Sequence, residues 1–562
     1  MIRLLLAVFM CCSFAARAEN SKSNTVSIFG VEPIVQSNIE KRLEELQQIK
    51  PLAEFQEEEL INQTTRAMQA FGYFHPQIKL IVNNERNSII SVLPGPQIQV
   101  TSLNTRLIGE GKNNPILQDT ISKIPIHLGD PLLSEQYNLA KQQLMNKAES
   151  LGYLHANFRK AEILVDEQQN SAKISLEFDT GPLFYYGQVQ FSPTYISPKL
   201  LRRYIPFTPG APYSSDKVLQ LNEYLSNSGY FNSVIVKPEL SESQTVPISV
   251  QLKPVSKYSY TLGAGYGTDT GVRGTAAFHI TPVNPMGHKF NAVAQGSFRQ
   301  SALQAQYLIP GYKPVTDQYA ITGNFSNLNY NAGYSNSWLM AIGQQHNTDH
   351  FQRTLSVNAL YEDFHYSLQA NSYQFLLYPK ATVSLREANN ILFSPSGYNL
   401  TINALGSNKY TFSNLDFGQL SFDGKAALMI EPLRLRLYGH TIQGLTAMDD
   451  ITQLPLSLAQ LLGGTDNLKG YTYNSIGPGK YITYTGIEIQ KEFKKNWYLV
   501  GFYDVGDVFN PTQIHLQYDV GGGLMWVSPI GPIKVGLAQP INRQFQKTKN
   551  NPRLAISMGP DL

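Results

Sequence analysis

Cysteine is nearly absent from this chain: Cys11 and Cys12 are the only two in 562 residues. Both fall in an N-terminal stretch that reads as a removable secretory signal. Arg3 is followed by the apolar run Leu4 to Phe14, and Ala16-Arg17-Ala18 precedes the polar start Glu19-Asn20, the arrangement a signal peptidase requires. Residues 1–18 are therefore expected to be removed, leaving a mature chain that begins near Glu19 and has no thiol. Lipid attachment at Cys11 is set aside, because Phe9-Met10 before it is too bulky for a lipoprotein cleavage site. Without disulfides, an exported chain of this length must draw its stability from burial or from a membrane. Charge of one sign is also lacking. A formal net charge of +3 is too slight to argue for nucleic acid or for an acidic partner. Beyond residue 18 no uninterrupted apolar run approaches the roughly twenty residues of a transmembrane helix, so any crossing of a bilayer must be made by strands.

What is present is repetition. Ala70-Phe71-Gly72-Tyr73-Phe74-His75, Ser150-Leu151-Gly152-Tyr153-Leu154-His155 and Asn227-Ser228-Gly229-Tyr230-Phe231-Asn232 recur at about eighty residues, one small domain per copy. Each follows a helix-like stretch. Leu139, Leu144 and Ala148 mark one in the second copy, and Val218, Leu221 and Leu225 mark one in the third. Glycine ends the helix and tyrosine enters the following strand. Gly129-Asp130-Pro131 ahead of Ser134, and Gly210-Ala211-Pro212 ahead of Ser215, read as helix starts with a capping hydroxyl. Two strand-like runs follow each Gly-Tyr, as in 77–82 with 88–93 or 233–238 with 247–252. The order is strand, helix, helix, strand, strand.

From Lys257 the texture changes to dyad alternation broken by turns, the pattern of membrane-spanning strands. Tyr258, Tyr260, Leu262, Ala264 and Tyr266 suit lipid, while Ser259, Thr261, Gly263, Gly265 and Gly267 suit a wet lumen. The final segment alternates likewise, with Leu554, Ile556 and Met558 opposing Arg553, Ala555 and Ser557. At roughly ten residues per strand, with connections of similar average length, residues 257–562 accommodate about sixteen strands. Asn284-Pro285-Met286-Gly287 and Ile309-Pro310-Gly311 read as short periplasmic turns. Thr441 to Gly479 is too long for a turn and reads as a large loop able to fold into the lumen.

The three α+β repeats resemble POTRA domains, the periplasmic modules of outer-membrane assembly and secretion barrels. The expected organisation is a signal peptide at 1–18, POTRA domains of β-α-α-β-β order at 24–95, 96–181 and 182–256, and an all-β antiparallel barrel at 257–562. Within the large loop, Leu468-Lys469-Gly470-Tyr471 resembles the lumen-inserted motif of the BamA/TamA/two-partner-secretion superfamily, with lysine where that motif has arginine. Gly486-Ile487-Glu488 and Phe502-Tyr503-Asp504 resemble its glycine-any-glutamate and aromatic-any-aspartate strand motifs. Strand parity puts Gly486 and Glu488 on one face, and likewise Phe502 and Asp504. The resemblance implies a lumenal lock in which Lys469 pairs with Asp504 near Glu488, with Phe502 against the cation. Lysine lacks the arginine fork, which implies a weaker lock.

General insertases of this superfamily carry more POTRA domains, and two-partner-secretion transporters fewer behind a plug helix, so three repeats point to the TamA family. That resemblance implies an outer-membrane assembly factor for autotransporters and other barrels, with its POTRA domains in the periplasm. Its seam would run between a first strand containing Gly263, Gly265 and Gly267, which pack weakly, and a last strand containing Leu554, Ile556 and Met558. The implied partners are client outer-membrane proteins, outer-membrane lipid and a TamB-like inner-membrane-anchored periplasmic protein. The alternative is a two-partner-secretion-type pore exporting one dedicated partner. Nothing in the sequence recommends an enzyme. Asp269-Thr270-Gly271 occurs at the end of a strand and reads as a turn, not half of an aspartic-protease pair. Gly479-Lys480 lacks the next hydroxyl of a phosphate loop, and neither zinc-protease histidine spacing nor a Gly-any-Ser-any-Gly elbow occurs. No cofactor is expected.

Overall fold

Each Gly-Tyr repeat closes a three-stranded mixed sheet whose last strand lies between the other two. The computed structural model describes residues 25–562 apart from 51, 85–86, 241–242, 368, 389, 391, 530 and 542–550. The signal segment with Cys11 and Cys12, and the expected mature start at Glu19, lie outside the described residues. In the first repeat, strand Thr25–Phe29 runs parallel to Asn87–Leu93, which pairs antiparallel with Gln77–Asn84. Helices Pro33–Gln47 and Glu57–Gln69 stand between them in sequence. The second repeat has strands Gln99–Ile108, Asn157–Asp166 and Ser171–Asp179 with helices Pro115–Ser122 and Ser134–Ser150. The third has strands Tyr185–Phe191, Phe231–Pro238 and Thr245–Pro254 with helices Pro198–Leu201 and Ser215–Asn227.

Two details of the second repeat correct the sequence reading. The buried stripe of helix Ser134–Ser150 is Ala140, Leu144 and Ala148, and Leu139 is 43% exposed. A spacing of four holds one helical face, whereas the step from Leu139 to Leu144 turns away from it. Nor does the Ser134 hydroxyl cap this helix. Leu133 is the N-cap residue, without a side-chain cap bond, and the Ser134 N–H instead donates to the Ala70 carbonyl of the preceding repeat (2.9 Å). In the shorter helix Pro115–Ser122, the Asn114 side chain does cap, accepting from the Ile116 N–H at 2.9 Å with Pro115 behind it.

The Gly-Tyr turns also serve as joints between repeats. Gly72 and Gly152 adopt φ +83° and +93°, a region that favours glycine. The Gly72 carbonyl accepts from Ile98 N–H (2.8 Å) and the Gly152 carbonyl from Phe184 N–H (3.0 Å), each at the start of the next repeat. A Cβ at Gly152 would lie 2.5 Å from the Tyr213 carbonyl oxygen. The third turn meets the barrel: Tyr230 Oη donates to Gly287 O (2.6 Å) and Lys289 Nζ to Ser228 O (2.7 Å).

The described residues form two compact units that divide within the third repeat. One runs to Gln188 and adds Phe207–Val218 and Pro238–Ile248, while the other comprises Val189–Pro206, Leu219–Lys237 and Ser249–Leu562. The second unit holds the large sheet, sixteen strands in chain order from Tyr258–Gly267 to Arg553–Met558, each antiparallel to its neighbour. Its longest strands, Phe351–Tyr366 and Ser372–Ala388, have 16 and 17 residues, whereas the last has 6. Residues 441–447, read from sequence as loop, continue the strand Leu435–Ala447 paired with Tyr481–Lys494. Gly444 there breaks the apolar pattern without breaking the ladder, so the long loop begins only at Met448. Pro310 likewise ends the strand Gln300–Pro310, with the turn after it.

Candidate functional site

Strands Tyr481–Lys494 and Trp497–Phe509 present Tyr484, Gly486, Glu488 and Gln490, and Val500, Phe502 and Asp504, to the barrel interior, while Ile487, Ile489, Leu499 and Tyr503 face outward. Their register sets Gly486 opposite Asp504 and Glu488 opposite Phe502. Gly486 has no room for a side chain, because a Cβ would lie 2.3 Å from Asp504 Oδ1 and 2.2 Å from the Tyr484 hydroxyl. The glycine thus leaves Asp504 open toward the interior.

The loop tip reaches this spot through a tight turn. Gly463 and Gly464 adopt φ +111° and +117°, and the Asn467 side-chain oxygen accepts from the Gly463 and Leu468 N–H groups at 2.7 and 2.8 Å. Leu468 is buried among Leu462, Tyr471, Ile482, Tyr484 and Val508. That apolar anchor delivers Lys469 to the acidic wall. Lys469 Nζ lies 2.9 Å from Asp504 Oδ2, 3.3 Å from Glu488 Oε1 and 4.7 Å from the Phe502 ring centroid. Gly470 N–H donates to Asp519 Oδ2 at 2.9 Å, and Tyr471 Oη to the Tyr518 carbonyl at 3.3 Å. Lys469 is 9% exposed and Asp504 not at all. A desolvated ammonium between two carboxylates is tolerated only because its partners are in place, so removing one is costly.

Several members of this cluster were not singled out from sequence. Tyr484 Oη donates to Asp504 Oδ1 (2.9 Å), and Asp519 stands opposite Asp504 in register. Lys534 Nζ bridges Glu488 (2.9 Å) and Asp561 (3.7 Å). Arg436, fully buried, forks onto Asp561 at 2.7 and 3.2 Å and also donates to Gln490 at 2.8 Å. The available signal was charge on strand residues, as at Arg436, Asp519 and Lys534, whereas Asp561 lies beyond the last strand. At its other end the loop is tied to the long strands. Glu362 accepts from the Ser457 N–H (3.0 Å) and hydroxyl, and Tyr366 Oη donates to the Leu454 carbonyl (2.7 Å).

The seam residues lie on strands that do not pair with each other. The last strand pairs with Gly531–Pro540 from Ala538–Arg553 to Ile533–Met558, with Leu554 and Met558 facing outward and Ile556 half-buried. Among the described residues, no backbone ladder joins it to the first strand. Ile556 N–H instead donates to the Thr268 hydroxyl at 3.1 Å. Of the first-strand glycines, only Gly265 is crowded, a Cβ there meeting Arg273 Nε at 2.9 Å, while Gly263 and Gly267 have ordinary space. Among the described residues, no group of His, Cys, Asp and Glu side chains is placed to hold a metal ion, and no helix is long and apolar enough to cross a membrane.

Comparison with known families agrees with this architecture. Residues 286–561 match the Omp85 superfamily domain. Residues 25–94 match a POTRA domain described as TamA domain 1, and residues 184–254 match the POTRA family described as a surface antigen variable number repeat. Among solved structures, BamA from Haemophilus ducreyi lacking POTRA domains 1–3 is similar at 14% identity and a TM-score of 0.67, covering 82% of this chain and 98% of that one. CdiB from Acinetobacter baumannii aligns at 13% identity and a TM-score of 0.49, covering 94% and 99%.

Proposed function

We propose that this chain, whose residues 286–561 match the Omp85 superfamily domain and whose residues 25–94 and 184–254 match POTRA domains, assembles other outer-membrane β-barrels by templating their strands at its own seam. The superfamily comprises transporters and assembly factors, and this reading places the chain among the assembly factors and outside the enzymes. The observation that carries it is the contrast at the seam: fifteen consecutive ladders join the sixteen strands, and among the described residues none joins the first to the last. Unpaired backbone groups cannot remain in hydrocarbon. An incoming strand can satisfy them by β-augmentation, which gives the edge a ready function. The TamA-type match of the first repeat and the three-repeat arm support placement in the TamA family. On that placement the arm receives extended clients and contacts a TamB-like periplasmic partner, with outer-membrane lipid at the seam. The lumenal lock of Lys469 with Asp504 and Glu488 holds the loop inside the barrel, which opposes use of the lumen as an export pore.

A reducible crosslink tests this. Cysteines replacing Gly267 and Ile556 place thiols at the point where the two strands approach, a Gly267 Cβ lying 3.8 Å from the Ile556 carbonyl oxygen. Barrel assembly in cells should stop on oxidation and resume on reduction, with the single-cysteine variants unaffected. Undiminished assembly with the seam fully crosslinked would sink the proposal and favour the export-pore alternative.

A further inference from the structure

The Asp269-Thr270-Gly271 sequence sits in the turn after the first barrel strand, and its aspartate does more than turn the chain. Arg553, the first residue of the last strand, forms an ion pair with Asp269 across the seam. The two side chains are only 21% and 9% exposed. The same guanidinium donates from its other nitrogen to the backbone carbonyls of Tyr471 and Lys469, the latter at 3.3 Å. The second oxygen of Asp269 accepts from the Thr465 N–H and hydroxyl, both at 2.7 Å. Gly464 makes room for this approach, since a Cβ there would lie 2.9 Å from the same oxygen.

From this geometry we infer that Asp269 and Arg553 are positioning residues that clasp the barrel seam through the lumenal loop. The first strand, the last strand and the loop meet at one pair of charges. Arginine suits the post, because its planar fork serves a carboxylate and two carbonyls at once. Lys469 belongs to both devices: its ammonium binds Asp504 while its carbonyl binds Arg553. Moving the loop therefore loosens the seam, and opening the seam pulls on the loop. The inference rests on the seam reading proposed above and adds the groups that regulate it.

The test uses the full chain in detergent or lipid, with nitroxide labels on cysteines replacing Tyr266 and Leu554, both on the outer face, and the distance distribution between them as readout. A narrow short distance is expected for the labelled parent. Asp269→Asn and Arg553→Gln should each raise the separated population about tenfold, the scale of a charged hydrogen bond. The double variant should be less open than the two single effects combined, because both singles remove the same ion pair. Arg553→Lys should open the seam part-way by keeping the charge and losing the fork. Unchanged heat-dependent gel migration shows that each barrel is folded. If the single variants leave the distance unchanged, or if their effects simply add, the clasp is wrong. A seam that opens while client assembly stays normal would leave the clasp standing and remove the assembly function.

Discussion

Two arcs of the same barrel are held together by different means. Between Asp317 and Ala388, neighbouring strands of 14 to 17 residues share long, uninterrupted registers, and the loop base is hung there from Glu362 and Tyr366. At the seam, a strand of 10 residues faces one of 6, and the described contacts are made by side chains: Thr268 to Ile556, Asp269 to Arg553, and the loop lying over both. Ladder hydrogen bonds are cooperative and local to a pair of strands. A side-chain junction can be undone at a single point. The difference shows how one barrel can be permanent around most of its circumference and conditional at one place.

The sharpest way to break this contrast is Asp504→Ala. Stripping the lock leaves Lys469 beside Glu488 alone in a desolvated site, an expected loss of about 3–5 kcal/mol in loop anchoring. Protease should then cut the loop in the folded barrel, and intact protection would contradict the lock. Gly486→Ala comes next. Its methyl group would strike Asp504 and Tyr484, for an expected 1–3 kcal/mol by the usual scale of overpacking (about that range), read as a lowered unfolding temperature. Glu362→Ala removes the acceptor for Ser457 on the ladder-held side, costing about 1–3 kcal/mol. It should free the loop base while leaving the seam distance unchanged, and a widened seam would erase the distinction between the arcs.

The smallest effect lies outside the barrel and serves as a reference. Asp179 in the second repeat accepts from Gly181 N–H and pairs with Arg159. The Gly181 hydrogen bond, aided by the arginine, holds its carboxyl below the usual carboxylate range. The folded pKa is depressed, so its contribution is present above the ordinary carboxylate pKa and fades as pH falls through the lowered value. Asp179→Asn should cost about 1 kcal/mol at neutral pH and flatten the acid limb of unfolding, with no change at the seam. An unaltered acid limb would remove Asp179 from the account.

The repeats and the barrel were legible in the sequence because periodicity reports burial: Val218, Leu221 and Leu225 are buried as their spacing requires, and alternation from Tyr258 foretold strands. Strand parity also put Gly486 with Glu488 and Phe502 with Asp504 on shared faces, and it was the family resemblance that implied those faces look inward. Leu139 misled because an apolar residue one position off the stripe has the same composition as one on it. What the sequence withheld were contacts between distant positions. Asp269 and Arg553 lie 284 residues apart, and nothing local to either marks a pair. Gly72 and Gly152 looked like helix stops, which they are, and their second use as joints depends on a neighbouring repeat.

Amide hydrogen exchange on the full chain in a lipid bilayer tests the central claim most directly. In the first strand, Tyr258–Gly267, alternate amides that point away from the second strand should exchange rapidly, as should the seam edge of Arg553–Met558 outside the Thr268-bonded Ile556 amide, while Phe351–Tyr366 stays protected throughout. Equal protection of all three strands would mean that the seam is laddered like the rest of the wall, and the account of a side-chain-held gate would fall.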